Sequence, residues 1–421
     1  ALYRRWVTFP ARDAAWRAHR SLRQPVAETA GWREFRGIIH AHTALSHDSR
    51  MPPEEVVAAV RAAGLDFVCL TDHPRVDGRA AFDTQWRGLH GGVLVVPGFE
   101  LRDGILALGA ASDVVLNNRA SGADLIDQVT RRGGLAFYAH PETPRDWRPA
   151  AVSGMEIYNL HTDFKRQGGS VGSTVRARLA DLWLSFERYP DQVRYLPFQR
   201  PTEFLRLWDD LNRTRAVTGV AGNDSHQNVG LRAWITPTGR LRIDDTSPKP
   251  MQEHALDGML GTVLRWWYGP LTPGRELFRL QLDPYEASAR FVNTHVLAQE
   301  LTEEALKASL LAGRVHVGFD GVADSSGFRW LARAGSVVRV MGESVPFNPA
   351  IELCAVSPIP CRFTLVRNGE VVGRQEGREV SWRPDGPGKY RVEAELRVEG
   401  AWIPWVYANP IELSAPTERA D

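Results

Sequence analysis

At 421 residues the chain is long enough for one large catalytic domain and a smaller companion. Hydrophobic residues at 43% and charged residues at 24% give the balance of an ordinary globular protein, and a formal net charge of +1 offers no bulk attraction for nucleic acid or an acidic membrane. Three cysteines are too few for a disulfide framework, and no window is apolar for long enough to span a bilayer.

Residues 1–33, rich in Arg and Trp without a clean period, are expected to form a helical arm on the main domain. The chain begins at Ala1 and not Met, which leaves room for an upstream signal or membrane anchor. That tilts the expected location slightly toward the periplasm or an anchored state and away from the cytoplasm. From Arg36 short apolar runs alternate with helical stretches, the pattern of βα units, and the main domain is expected over 34–314. Strands are predicted at 36–39, 66–70, 93–96, 105–110, 135–138, 154–158 and 216–221. Helices are predicted at 52–63, with Pro-Pro at its start and Gly64 past its end, and at 121–132.

A mostly helical insertion is expected over 164–213 (helices 173–188 and 202–213), placed to wall or cover the strand ends. Thr246-Ser247-Pro248-Lys249-Pro250 reads as a linker, and a helix from about 300 to 311 stops at Gly313. Residues 315–421 read as an all-β, sandwich-like C-terminal domain with Asn368-Gly369 as a tight hairpin turn. Cys69 lies in an apolar run and reads as a buried free thiol. Cys354 and Cys361 flank Ser-Pro-Ile-Pro and could face each other across a hairpin.

The chemistry gathers at the strand ends. The first strand ends in His40-Ala41-His42, two imidazoles at i and i+2 that point the same way from an extended segment. Asp48 follows, preceded by Ser46-His47. Later strands end in Thr71-Asp72-His73, Pro97-Gly98-Phe99-Glu100, Ala139-His140-Pro141, Glu156-Ile157-Tyr158-Asn159 and Asn223-Asp224-Ser225-His226. One His after an apolar strand is an ordinary core or surface residue. Six strand ends with the same habit are not chance, and parallel strands in a barrel present those ends on one rim. Mixed His and carboxylate donors suit Zn, Mn or Fe, and the absence of Cys ligands argues against a structural zinc.

The ordered set His40-x-His42, Asp48, Thr71-Asp72-His73, Glu100, His140 and Asp224-x-His226 resembles the PHP (polymerase and histidinol phosphatase) family of metal-dependent phosphoesterases, over roughly residues 35–230. With its β-rich C-terminal extension, the layout resembles most the branch that contains carbaryl-type carbamate hydrolases. The resemblance implies an α/β fold, a distorted (β/α)7 TIM-like barrel, and two or three divalent ions. It implies one ion on His40, His42, Glu100 and Asp224, a second on His140 with Glu100 as bridge, and a third on Asp48, His73 and His226. No histidine occurs from Leu101 to Ala139, where fuller members place another ligand, so the second site is one ligand short and fewer ions are an alternative. Glu156 either compensates as a ligand or orients one from behind.

Such ions lower the pKa of bound water from about 15.7 toward 7 and so supply hydroxide at neutral pH. The implied function is metal-dependent hydrolysis of a small-molecule phosphoester. The alternatives are a carbamate, amide or carboxylic ester hydrolase with the same centre, and a non-catalytic metal-binding scaffold. His47 and His161 could protonate a leaving group or be plain polar loop residues. Arg75, Lys165 and Arg166 could bind an anionic substrate group or be solvated loop charges, and Arg166 is taken with the two histidines as a candidate catalytic residue. Aromatic residues of the insertion (Trp183, Phe186, Tyr195, Phe198, Phe204 and Trp208) could wall an apolar pocket or form the insertion's own core. Gly168-Gly169-Ser170-Val171-Gly172 fits G-x-S-x-G, but no strand precedes it, so it reads as a hinge. Trp266-Trp267 and Trp402 to Trp405 are expected to cover the seam between the two domains. No phosphate-binding loop and no basic patch interleaved with aromatics is present, so nucleic acid is not expected as a partner. Composition does not fix the oligomeric state.

Overall fold

The computed structural model describes residues 1–415 apart from 30, 76, 148–150, 167–180, 182, 183, 197, 229, 246–252 and 282. Strand β1 (Arg33–Ala41), β2 (Phe67–Asp72) and β3 (Val93–Leu101) run parallel, with Gly37 opposite Phe67 and Phe67 opposite Leu94. β4 (Ile105–Leu108) turns back antiparallel on β3, and β5 (Leu135–Tyr138) turns again. β6 (Gly154–Asn159) and β7 (Thr218–Gly222) then follow in parallel. Six of these seven strands therefore end on one edge.

Period-two alternation sorts their side chains into two layers. Phe67, Cys69, Leu94 and Val96 point into one apolar cluster with Phe35, Ile39, Phe137 and Val220. Val68, Leu70, Val93 and Val95 point the other way, onto Val56, Val57 and Val60 of helix Pro53–Ala62. Both faces are covered, which is why β2 reads as an unbroken apolar run. That helix carries Pro53 in its first turn, with Glu54 and Glu55 beside it to meet the positive end of its dipole, and it stops at Gly64 with φ +73°. Helix Gly122–Arg131 starts where the Ser121 hydroxyl accepts from the Asp124 N–H at 3.2 Å.

The result is a mixed α/β fold on one large sheet, and the expected barrel does not close. Among the described residues the segment that follows β7 meets β1 only at an isolated bridge, Ala41 with Ser225. The reason lies in strand Asn293–Ala298, which runs antiparallel along the first half of β1 (Arg33 opposite Ala298 to Gly37 opposite Thr294) and takes the edge a closing strand would need. The same strand pairs with Val315–Gly318, which pairs in turn with Ala401–Ala408. The boundary expected between 314 and 315 thus falls inside a continuous ladder. Strands beyond it pair antiparallel, apart from Ser344–Pro346, which runs parallel to Ile411–Ser414, and Asn368 and Gly369 both take positive φ (49° and 88°) to turn the hairpin of Glu352–Arg367 onto Glu370–Trp382.

Cys354 and Cys361 lie on that one strand, opposite Ser381 and Gly377, and both are free thiols, as is Cys69. Helix Phe9–Ser21 lies within the N-terminal arm and buries Phe9 and Trp16. A small antiparallel sheet (Gly230–Ile235, Leu241–Asp245, Glu253–His254 and Glu276–Gln281) with helix Met259–Tyr268 was not expected from the sequence. Trp266 and Trp267 on that helix are 80% and 67% exposed, so they cover no seam, whereas Trp405 is buried. The linker at 246–250, the Gly168–Gly172 run and most of the helix expected at 173–188 lie outside the described residues. Among those described, no helix is long and apolar enough to cross a membrane.

Candidate metal centre

The inward face of each strand changes from apolar to ligating as it reaches the common edge. On β3 the face that buries Leu94 and Val96 continues through Gly98 to Glu100. On β2 the face of Phe67 and Cys69 continues through Thr71 to His73. β1 needs a correction, because Phe35 and Ile39 already point inward and strict alternation would turn His40 away. A register irregularity between Ile38 and Ala41 resets the phase, and His40 and His42 come to face the interior. His140 and Asp224 sit just past β5 and β7 with φ of 52° and 51°. Non-glycine residues rarely take this left-handed conformation, and two candidate ligands doing so marks a site where geometry outranks backbone comfort.

Four atoms converge. His40 Nε2 lies 3.0 Å from His42 Nε2, 3.2 Å from Glu100 Oε2 and 3.4 Å from Asp224 Oδ1. His42 Nε2 lies 3.3 Å from each of the same two oxygens. Donors about 2.0–2.2 Å from one tetrahedral ion are separated from each other by about 3.3–3.6 Å, so this spacing fits a metal. Glu100 also turns its Oε1 to His140 Nε2 at 3.2 Å, and Asp224 Oδ2 lies 3.7 Å from that nitrogen. Both carboxylates can therefore bridge to a second position, where His140 supplies the one imidazole. Asp48 Oδ2 meets His226 Nε2 at 3.0 Å and His73 Nε2 at 3.2 Å, a third group of donors, with His73 also 3.5 Å from Glu100 Oε2.

The other ring nitrogens fix the orientation. Glu156 Oε1 accepts from His40 Nδ1 at 2.7 Å, while its Oε2 accepts from the His140 backbone N–H and from Asn159 Nδ2. Glu156 is thus the residue that aims His40, and it is not placed as a ligand. His73 Nδ1 faces the Glu100 carbonyl at 3.3 Å and His226 Nδ1 the Asp224 carbonyl at 2.8 Å. Each arrangement leaves an Nε2 lone pair for the centre.

Electrostatics favour a cation. Burial alone would depress His40, but Asp224, Glu156 and Glu100 push it up to about 9. His42 is pushed up to about 10 against its burial by the negative charges of Asp224 and Glu100 beside it, and His140 to about 12 by Asp224, Glu100 and Glu142. Asp224 and Glu100, which burial would raise, are instead held well below the carboxylate range by the imidazoles around them. The sharpest observation is Asp224 itself. Both its oxygens are buried with no hydrogen-bond partner among the described residues, and His42 Nδ1 is likewise unpartnered. An ionised carboxylate stripped of water and hydrogen bonds is costly unless a cation takes their place.

Of the remaining sequence candidates, His161 is buried with its ring 5.3 Å from that of His226, and it forms a possible donor group with Asp224 and His226. His47 is exposed, 5.0 Å from the His73 ring. Lys165 and Arg166 end helix Leu160–Arg166, and their side chains lie outside the described residues, as does Trp183. Tyr195, Phe204 and Trp208 are core residues: Tyr195 stacks on Phe291 at 3.5 Å, and Trp208 Nε1 donates to the Val217 carbonyl. Sequence reasoning missed three supports. Glu142 lies 3.5 Å from His140 Nδ1, Tyr285 donates to the His42 carbonyl at 2.5 Å, and Gly222 leaves the space that Glu156 fills. Only Glu142 carries a signal, an acid two residues past His140.

Residues 39–193 match the PHP domain, a span that holds six of the eight candidate ligands and stops short of Asp224 and His226. No curated protein matches the chain. Among solved structures it is similar to a two-domain protein from Bacteroides vulgatus ATCC 8482 described as containing a predicted PHP-like metal-dependent phosphoesterase, at 13% identity and a TM-score of 0.39, over 92% of this chain and 98% of that one.

Proposed function

We propose that this chain is a metal-dependent hydrolase of phosphoesters. The observation that carries the reading is the Asp224 carboxylate, buried and without a hydrogen-bond partner among the described residues, within 3.4 Å of the Nε2 atoms of His40 and His42. The PHP domain match over 39–193 supports it.

The residues fit divalent ions in three groups: His40, His42, Glu100 and Asp224; then His140 with the free oxygens of Glu100 and Asp224; then Asp48, His73 and His226. Ions held there lower the pKa of water and offset the negative charge of a phosphoester. The chain supplies the rest. Glu156 and the carbonyls of Glu100 and Asp224 hold three imidazoles in one tautomer. Asp224, at 1% side-chain exposure, keeps bulk water from one side of the centre. His161 and His47 flank the His226 and His73 side and are placed to pass a proton to a leaving oxygen. The carbamate and aryl ester alternative loses part of its support, because Tyr195, Phe204 and Trp208, three of the six aromatic residues expected to wall an apolar pocket, are packed in the core.

The test pairs metal analysis of the purified chain with phosphate monoesters, diesters, carboxylic esters and carbamates, on the wild type and Asp224→Asn. The expected result is stoichiometric metal and phosphoester turnover, with Asp224→Asn losing more than about a hundredfold, beyond the range seen when a mere supporting residue is removed. Turnover of carbamates alone overturns the substrate class. A chain without metal, or a fully active Asp224→Asn, overturns the mechanism.

A further inference from the structure

A cavity of about 180 Å³ abuts the centre at His73. Its walls include Arg75, Asp77, Arg79 and Gln85, with Phe99 at its apolar side. We propose that this cavity is a subsite for a second anionic group on the substrate, a carboxylate or another phosphate, held by Arg75 and Arg79. This rests on the phosphoesterase reading and narrows it to substrates that carry two negative groups.

Three observations bear on it. First, neither guanidinium has a carboxylate partner among the described residues, although both line one small cavity. Asp77, the acid on the same wall, forms no ion pair with either of them among the described residues; its Oδ1 accepts from the Arg79 backbone N–H at 2.9 Å. Second, the loop that presents them is tied down. Gly78 N–H donates to the Arg75 carbonyl and Asn118 N–H to the Gly78 carbonyl, both at 2.8 Å, and Arg79 begins a short strand paired with Asn117. Third, the carbonyl oxygen of the Gln85 side chain is buried and without a partner, an acceptor that a substrate N–H or O–H would satisfy.

Guanidinium groups stay protonated at any working pH and present a fork that matches carboxylate or phosphate oxygens. The scissile phosphoryl group would sit on the metal side of His73, so the second charge sits on the leaving portion or the retained portion, one small group away. The cavity has room for an anion on a short stem or a substituted ring edge.

The experiment uses the metal-loaded full chain and two substrates, phenyl phosphate and 4-carboxyphenyl phosphate, with phosphate release as readout. It adds calorimetric binding of phenylphosphonate and 4-carboxyphenylphosphonate, which needs no turnover. In the wild type the carboxylated member of each pair is expected to be favoured about tenfold, in KM and in Kd, the scale of one charge-assisted hydrogen bond. In Arg75→Ala/Arg79→Ala the ratio is expected to collapse to about one, and in Arg75→Lys/Arg79→Lys to recover only in part. A wild type that shows no preference in either pair, or a double alanine variant that keeps it, overturns the subsite. Discrimination between the phosphonates with no phosphate released from either ester sinks the phosphoesterase reading and leaves the subsite standing.

Discussion

Gly222 offers the cleanest test of how the centre is held. It ends β7, and a Cβ built there would lie 2.0 Å from Glu156 Oε1 and 2.3 Å from Glu156 Cδ. Ordinary contact begins near 3.4 Å, so Gly222→Ala drives the Glu156 carboxylate back by about 1.4 Å. That exceeds what the 2.7 Å bond to His40 Nδ1 can absorb, and the oxygen loses the imidazole it aims. Gly222 does not take a positive φ, so alanine suits the backbone and the effect runs through the side chain. Loss of a partner that orients a ligand typically costs 10–100-fold in metal affinity, about 1.4–2.7 kcal/mol. Overpacking adds about 1–3 kcal/mol of instability.

Metal affinity is read by titration in a chelator buffer, and stability by urea unfolding of the metal-free chain. Gly219→Ala on the same strand is the control, since its Cβ would meet Trp208 at 2.8 Å and should destabilise without weakening metal binding. Glu156→Ala should lose metal affinity to a similar degree, and combining it with Gly222→Ala should add little, because both act through one contact. Wild-type metal affinity in Gly222→Ala, or losses that add in full in the double variant, would refute the chain of reasoning from Gly222 through Glu156 to His40.

Two further outcomes follow from the charges. Metal at a hundred times its Kd should stabilise the chain by about 2.7 kcal/mol and raise Tm by a few degrees, as read by calorimetry; Asp224→Asn should show little of this, and an equal shift in both would place the metal elsewhere. Away from the centre, burial would depress His295, but Asp320 and Glu34 push it from 6.5 up to about 10. A group raised on folding contributes its full stability below about 6.5 and loses it as pH climbs toward 10. The groups around it are Glu34 on β1, Asp320, His316, Arg329 and Arg36. His295→Gln should therefore narrow its stability gap to the wild type between pH 7 and 10 in urea unfolding; a gap that stays constant would show that the imidazolium is not what Glu34 and Asp320 hold.

The sequence showed where ligands end strands more clearly than how they point. Glu100 and His73 follow their strands' alternation, so chemistry and direction were both readable from apolar runs ending in a polar residue. His40 and His42 owe their direction to the irregularity after Ile38, and His140 and Asp224 owe theirs to left-handed backbone that no residue preference announces. Glu156 could be placed at a strand end but not assigned, since ligand and orienter differ by one side-chain rotation. That the sheet does not close was hidden for a different reason. Strand Asn293–Ala298 lies some 250 residues from its partner β1, and pairings at that distance leave no local pattern. The small sheet of 230–281 was missed because its strands are short and partly exposed, which weakens the period-two signal.

The fold itself contains a comparison that separates a metal centre from an ion-pair network. Glu34, His295 and His316 also bring donor atoms within 4.8 Å of one another, and by proximity alone they rival the site at the strand ends. Their surroundings differ. Glu34 spends its oxygens on His295 Nδ1, the Gly327 N–H and Arg329, and Asp320 spends its own on Ser325, Asn293 and His295 Nε2. Every carboxylate oxygen there already has an N–H or O–H donor, so an ion would have to displace an arginine or an imidazolium. At the strand ends, among the described residues, no arginine reaches Glu100 or Asp224 and neither oxygen of Asp224 has a hydrogen-bond donor. Two clusters of the same residue types thus carry opposite debts of positive charge: the first is settled within the protein, and the second is left for a cation.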